Sequence, residues 1–216
     1  MKKFIFITLL AFLMLEASSQ SNIRFENRKT DGYFNLTQIG LMMGNQPINE
    51  NTPNYFDDRS DFHISPSVTM VNGIMFNEER WSAGLGVGFE IFDRSLFPVF
   101  FDLRRTFWAS DVSPYIALKT GYSISGFKKK PYENFMLNHD PYMVSDIYFK
   151  KHGGFMFNPE IGVKIVLSEN ADLLITAAYR HQRTKSKVTR ENRNPREWEY
   201  KLNMNRLSFG VGIMFR

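Results

Sequence analysis

The chain has 216 residues, a formal charge of +5 at neutral pH and no cysteine, so a disulfide framework, a thiolate metal site and a cysteine nucleophile are all excluded. Aromatic residues reach 15% and apolar residues 43% while mean hydropathy stays at −0.31. That combination excludes a bundle of membrane helices and fits a chain that is apolar on one face only, and so small a charge surplus points to no nucleic-acid partner.

The first predicted element is an export signal. Lys2 and Lys3 precede an apolar run from Phe4 to Leu15, and Ala17, Ser18 and Ser19 supply a small-residue exit, so residues 1–19 read as a signal peptide cleaved after Ser19. The run of 12 falls short of the ~18 to 20 apolar residues of a spanning helix, and charged or polar residues break every later run sooner still. Residues 20–31 then read as a short periplasmic segment and 32–216 as one domain.

Tyr33 to Met43 is the first predicted strand. In the second, Ile64, Pro66, Val68, Met70, Ile74 and Phe76 alternate with His63, Ser65, Ser67, Thr69 and Gly73. The third, "WSAGLGVGFEIF", sets Trp81, Ala83, Leu85, Val87, Phe89 and Ile91 against Ser82, Gly84, Gly86, Gly88 and Glu90. A dinucleotide-binding loop would need G-x-G-x-x-G; here Gly88 comes one residue early and Phe89 stands where the third glycine belongs. The period is two, as in a strand. In a soluble sandwich the second parity would meet water and carry larger polar groups than three glycines, whereas in a small closed barrel it faces a crowded interior.

The same alternation recurs down the chain. Phe97, Val99, Phe101, Leu103 and Phe107 oppose Phe100, Asp102, Arg104 and Thr106; Ile116, Leu118 and Tyr122 oppose Lys119, Gly121 and Ser123. Phe155, Phe157, Ile161, Val163 and Ile165 oppose Asn158, Glu160, Gly162 and Lys164; Leu173, Ile175, Ala177 and Tyr179 oppose Thr176 and Arg180. Last, Leu207, Phe209, Val211, Ile213 and Phe215 oppose Arg206, Ser208, Gly210, Gly212 and Met214. These segments predict an all-β fold, an eight-stranded antiparallel up-and-down transmembrane β-barrel, most strands reaching the ~9 to 11 residues needed to cross the hydrocarbon at a tilt.

The connections agree. Three are long, at Asn45 to Phe62, Ser125 to His152 and Thr184 to Glu199, and all three are odd-numbered, so they fall on one side of the membrane. The others are short, and Trp81, Phe107, Trp108 and Phe215 fall at strand ends on the opposite side, where interfacial aromatics form a girdle.

The terminal "RLSFGVGIMFR" resembles the C-terminal recognition strand of bacterial outer-membrane proteins, with Arg216 added after the closing aromatic Phe215. "NGIMFNEERWSAGLGVGFEIF", "PVFFDLRRTF", "PYIALKTGYSIS" and "GGFMFNPEIGVKIVLS" are similar to successive strands of small outer-membrane β-barrel proteins of Gram-negative bacteria, of OmpA/OmpX-like architecture. The resemblance implies fold, location and contact with outer-membrane lipid, lipopolysaccharide and the outer-membrane assembly machinery, and it carries no catalytic motif.

Inward parity places Glu90, Asp102 and Glu160 against Arg104, Lys119, Lys164, Arg180 and Arg206, a set expected to pair as a structural network filling the lumen. A charged path for protons or small solutes, a narrow channel, is the alternative use of the same residues. A lipid-modifying enzyme is a second alternative. It would need an activated serine near the outer rim, and His63 and Ser65 share one face there, with Asp57, Asp58 and Asp61 nearby in sequence. His139, His152 and His181 are too scattered to predict a metal site, and no cofactor is implied. The long connections carry lysines among aromatics, including Lys128 to Lys130, Tyr132, Tyr148, Lys150 and Lys151, and are the expected surface for an unidentified protein or ligand. The sequence thus predicts a non-enzymatic barrel with a structural or surface-interaction role.

Overall fold

A computed structural model describes residues 28–45, 62–92, 94–108, 110–125, 130–131, 147–190 and 196–216. The expected signal peptide, the first long connection and His139 lie outside the described residues. Ten strands follow one another: β1 Gly32–Asn45, β2 Phe62–Phe76, β3 Trp81–Phe92, β4 Arg94–Thr106, β5 Val112–Ser125, β6 Lys130–Pro131, β7 Ile147–His152, β8 Gly154–Ser168, β9 Ala171–Arg190 and β10 Arg196–Phe215. Every pairing is antiparallel, and the ring β1, β2, β3, β4, β5, β8, β9, β10 closes where Asn35 to Met43 of β1 meet Phe215 to Leu207 of β10. The result is an eight-stranded closed β-barrel, which leaves the ring no unpaired edge. No helix among the described residues is long and apolar enough to cross a membrane.

Alternation sorts the side chains. Leu85, Ile39, Ile161, Ile74 and Val211 stand on the outside, exposed by 46 to 69%, while Glu90, Asp102, Ser113 and Asp172 inside are fully buried. That is the reverse of a soluble protein. Gly86 shows why small residues recur on the inward parity: a Cβ there would overlap the Phe100 ring, which fills the lumen in its place.

Two sequence expectations need correction. The connection expected from Thr184 to Glu199 is mostly strand, because β9 and β10 pair without interruption from Ala171 and Phe215 out to Arg190 and Arg196. Hydrophobic alternation marks where a strand leaves an apolar surround, whereas ladder hydrogen bonds continue into water, so reading the pattern alone ends the strands too soon. Likewise β7 lies inside the connection expected from Ser125 to His152 and continues β8 along β9, with β6 paired on its far side. The interior also holds an apolar cluster that includes Phe34, Leu36, Val71, Met75, Leu174 and Met214.

Candidate functional site

The barrel ends differ in construction, with tight turns at residues 77–80 and 169–170 at one end and the β9–β10 hairpin projecting from the other. Between them the lumen is filled by charged side chains in three layers.

In the layer nearest the loop end, Arg180 of β9 pairs with Glu90 of β3 and donates to Ser123 Oγ at 3.1 Å. Strands β3 and β9 are four places apart in a ring of eight, so the pair crosses the full bore. Arg206, the cross-strand partner of Arg180, is also buried, with Nη2 2.8 Å from the Met204 sulfur.

The central layer joins five strands. Lys119 Nζ of β5 lies 2.6 Å from Glu160 Oε1 of β8 and donates at 2.6 Å to Gln38 Oε1 of β1, again across the bore. Gln38 in turn donates to Thr176 Oγ1 at 2.8 Å, and the Tyr115 hydroxyl shares that oxygen at 2.6 Å. Arg104 pairs with Asp102 at 3.1 Å, approaches Glu160 at 3.8 Å and lies 4.7 Å over the Tyr115 ring. Such charges survive burial because each meets an opposite charge or a hydrogen-bond partner. Between these two layers lies a cavity of about 40 Å³, lined among others by Glu90, Lys119, Asn158, Glu160 and Arg180. It has room for a few water molecules, and Glu90 Oε2, Asn158 Oδ1 and Glu160 Oε2 lack protein hydrogen-bond partners.

The turn-end layer adds to Lys164 and Asp172 three residues off the strands, which parity does not reveal. Asn77, Glu78 and Glu79 all adopt left-handed backbone, with φ of 58, 53 and 65°. This turn carries the Glu79 carboxylate to the mouth, where Oε1 meets Arg28 Nε at 2.6 Å and Arg216 Nη1 at 2.6 Å, and Oε2 meets Lys164 Nζ at 2.8 Å. Asp172 of β9 binds Arg28 Nη2 at 2.9 Å and pairs with Arg216. Burial alone would push the Glu79 carboxyl up, but hydrogen bonds from Arg28 and Arg216 and the charge of Lys164 outweigh it and hold the group well below the usual carboxylate range. For Arg28, burial would lower the pKa; the bond to Glu79 and the charge of Asp172 reverse that and raise it.

All eight charges expected inside are buried, but they do not form one network. Asp102, Arg104, Lys119 and Glu160 meet in the centre, Glu90 and Arg180 above them, and Lys164 joins the turn-end layer. The sequence reading does not place Arg28, Glu79, Asp172, Arg216, Gln38 or Tyr115 in the lumen. Asp172 and Tyr115 lie on the inward parities of β9 and β5, which the alternation discloses; Gln38 lies on β1, whose register it does not disclose, and Glu79, Arg28 and Arg216 lie off the strands. The aromatics Trp81, Phe107, Trp108 and Phe215 stand on the outer surface at the turn end, the last three 43 to 53% exposed. At the opposite rim His63 is exposed, while Ser65 is buried and its Oγ has no hydrogen-bond partner among the described residues. His181 Nδ1 shares a hydrogen bond with Asn205 Oδ1 at 2.7 Å, and among the described residues no cluster of three or more His, Cys, Asp or Glu forms a metal site.

Comparison with solved structures returns this architecture. The outer membrane protein OprG from Pseudomonas aeruginosa superposes with a TM-score of 0.54 at 12% identity, covering 88% of this chain and 97% of that one. Neisserial surface protein A gives a TM-score of 0.51 at 11% identity, covering 85% and 98%. The fold is that of the small outer-membrane barrels. No family model and no curated protein sequence matches the chain. At such identities the likeness is one of backbone, and the layers described above belong to this sequence.

Proposed function

We propose that the protein is an integral outer-membrane barrel, exported by the signal at residues 1–19, that works without enzymatic chemistry as a structural element and as a mount for the segments projecting from its loop end. The observation that carries this reading is the inversion of polarity: an apolar exterior surrounds a charged interior whose ion pairs cross the bore. A surface of this kind is stable against acyl chains and unstable in water. Ion pairs and hydrogen bonds that cross the bore favour a filled lumen over a conducting one. Among the described residues no base holds the buried Ser65 Oγ, which speaks against an activated serine. The projecting β9–β10 hairpin, with the basic and aromatic segments beside it, is the surface offered to lipopolysaccharide or a protein partner.

Reconstitution tests this directly. The processed chain should require detergent or lipid, show heat-modifiable electrophoretic mobility, and give no steady conductance in planar bilayers. A water-soluble monomer would overturn the membrane assignment, and a stable single-channel conductance would overturn the filled lumen. Removing residues 186–200 should leave the folded barrel intact and abolish co-isolation of outer-membrane partners; partner recovery unchanged by the deletion would reject the hairpin's role.

A further inference from the structure

We infer that Arg105, held between Trp81 and Phe107, forms a lipid-facing site for the phosphate of an acidic phospholipid at the turn end of the barrel. The inference rests on the membrane reading above. Arg105 lies on the outward parity of β4, opposite Trp81 of β3 and Ile116 of β5, and is exposed. On the described outward positions of the barrel wall, from the turn end up to His181, it is the only charged side chain; the others are apolar or neutral.

A lone cation on this surface needs an explanation, since an arginine facing hydrocarbon is costly at midplane and nearly tolerated only at the interface. Its position supplies part of one. Arg105 stands two residues, ~5 Å along the barrel axis, inside the girdle residue Phe107, close enough for a long side chain to reach the headgroup zone. Its surroundings supply the rest. The guanidinium carbon lies 5.1 Å from the centre of the Trp81 ring and 5.6 Å from that of Phe107, so both aromatics meet it at cation–π range. No carboxylate among the described residues pairs with it, in contrast to Arg28, Arg104, Arg180 and Arg216, each of which binds a carboxylate of the protein. The rings fix the position of the cation and leave its charge and its fork of N–H donors unspent. An anion with oxygens in fork geometry, presented at the level of an aromatic girdle, is a lipid phosphodiester. A lipid of net negative charge is favoured over a zwitterionic one because no carboxylate among the described residues supplies a counter-charge.

Native mass spectrometry of the intact barrel tests this, after release from micelles containing equal amounts of phosphatidylglycerol and phosphatidylethanolamine. The folded protein should retain one phosphatidylglycerol in preference. Arg105→Gln should cut that retention about fivefold, the equivalent of ~1 kcal/mol per basic residue at an anionic surface. Arg105→Lys should restore part of it as a point charge, and Trp81→Leu should reduce it by less than Arg105→Gln does. Heat-modifiable mobility reports folding for each variant. A wild-type chain that stays water-soluble overturns the membrane reading and this site with it. A barrel that inserts but shows no preference for phosphatidylglycerol, or an Arg105→Gln barrel that retains it as well as wild type, overturns the site alone.

Discussion

The central and turn-end layers solve the same problem by different means. Asp102, Arg104, Lys119 and Glu160 all sit on strand positions of inward parity, so the pleat that turns their neighbours toward lipid also brings them together. At the turn end only Lys164 and Asp172 come from strands; Arg28 precedes β1, Glu79 belongs to a turn and Arg216 follows the last strand. A layer built from strands is fixed as soon as the barrel closes. One built from a turn and two flanking segments forms only when those segments dock at the mouth of the barrel.

This difference ranks the consequences of mutation. Glu160→Ala should have the largest effect, because it removes the carboxylate between Lys119 and Arg104 deep in the bore. Stripping one partner from a buried pair costs about 3 to 5 kcal/mol. Urea unfolding in lipid vesicles measures it, and Glu160→Gln, which keeps an acceptor for Lys119, should lose less. Glu79→Ala should come second at about 2 kcal/mol, since Arg28 and Arg216 keep Asp172 as a partner and only Lys164 loses its ion pair at this layer. If Glu79→Ala proves the more damaging of the two, the ranking of core over rim fails and the turn is the main clamp on the barrel.

A pH series sharpens the contrast. The Glu79 carboxyl is held below its ordinary value of 4.5 in the fold and regains that value on unfolding. Its contribution is therefore complete above pH 4.5 and is lost as pH falls from there toward the depressed folded value. The stability gap between wild type and Glu79→Gln should stay constant from neutral pH down to about 5 and narrow below 4.5. A gap that closes already near neutrality would mean that the ion pairs with Arg28, Lys164 and Arg216 do not govern this group.

The same contrast explains what the sequence discloses. Period-two alternation identifies β2 to β5 and their inward charges because Gly86, Asp102 and Lys119 differ plainly from Leu85, Phe101 and Leu118 beside them. The start of β1 reverses the rule and so hides its register. Phe34 and Leu36 point inward to the apolar cluster, while Tyr33, Asn35 and Thr37 face outward. Asn35 donates to Asn72 Oδ1 at 2.7 Å, which lets two amides stand on the outer surface with partners. In sequence Arg216 is a departure from a terminal aromatic signature, and only the folded mouth gives it a role, bound to both Glu79 and Asp172. Pairwise geometry across a bore is set by eight strands at once, and no local pattern encodes it.

The turn itself offers the smallest test and the one with opposite sign. In "NEER" the residues at positions 77 to 79 adopt left-handed backbone with no glycine among them, although side chains other than glycine pay about 1 kcal/mol or more each for that conformation. Glu78 is exposed and has no role in the cluster that Glu79 completes. Glu78→Gly should therefore raise stability by up to about 1 kcal/mol, less whatever flexibility glycine adds to the unfolded chain. The same change at Glu79 would relieve the same backbone but remove the carboxylate, and should destabilise. Opposite signs at adjacent positions, read as unfolding midpoints in the same vesicles, would separate the backbone strain of this turn from the electrostatic work of its one inward side chain. Equal losses at both would show instead that the left-handed path is held by Glu78 as well, through the turn whose closing bond runs from Arg80 N to Asn77 O at 3.1 Å.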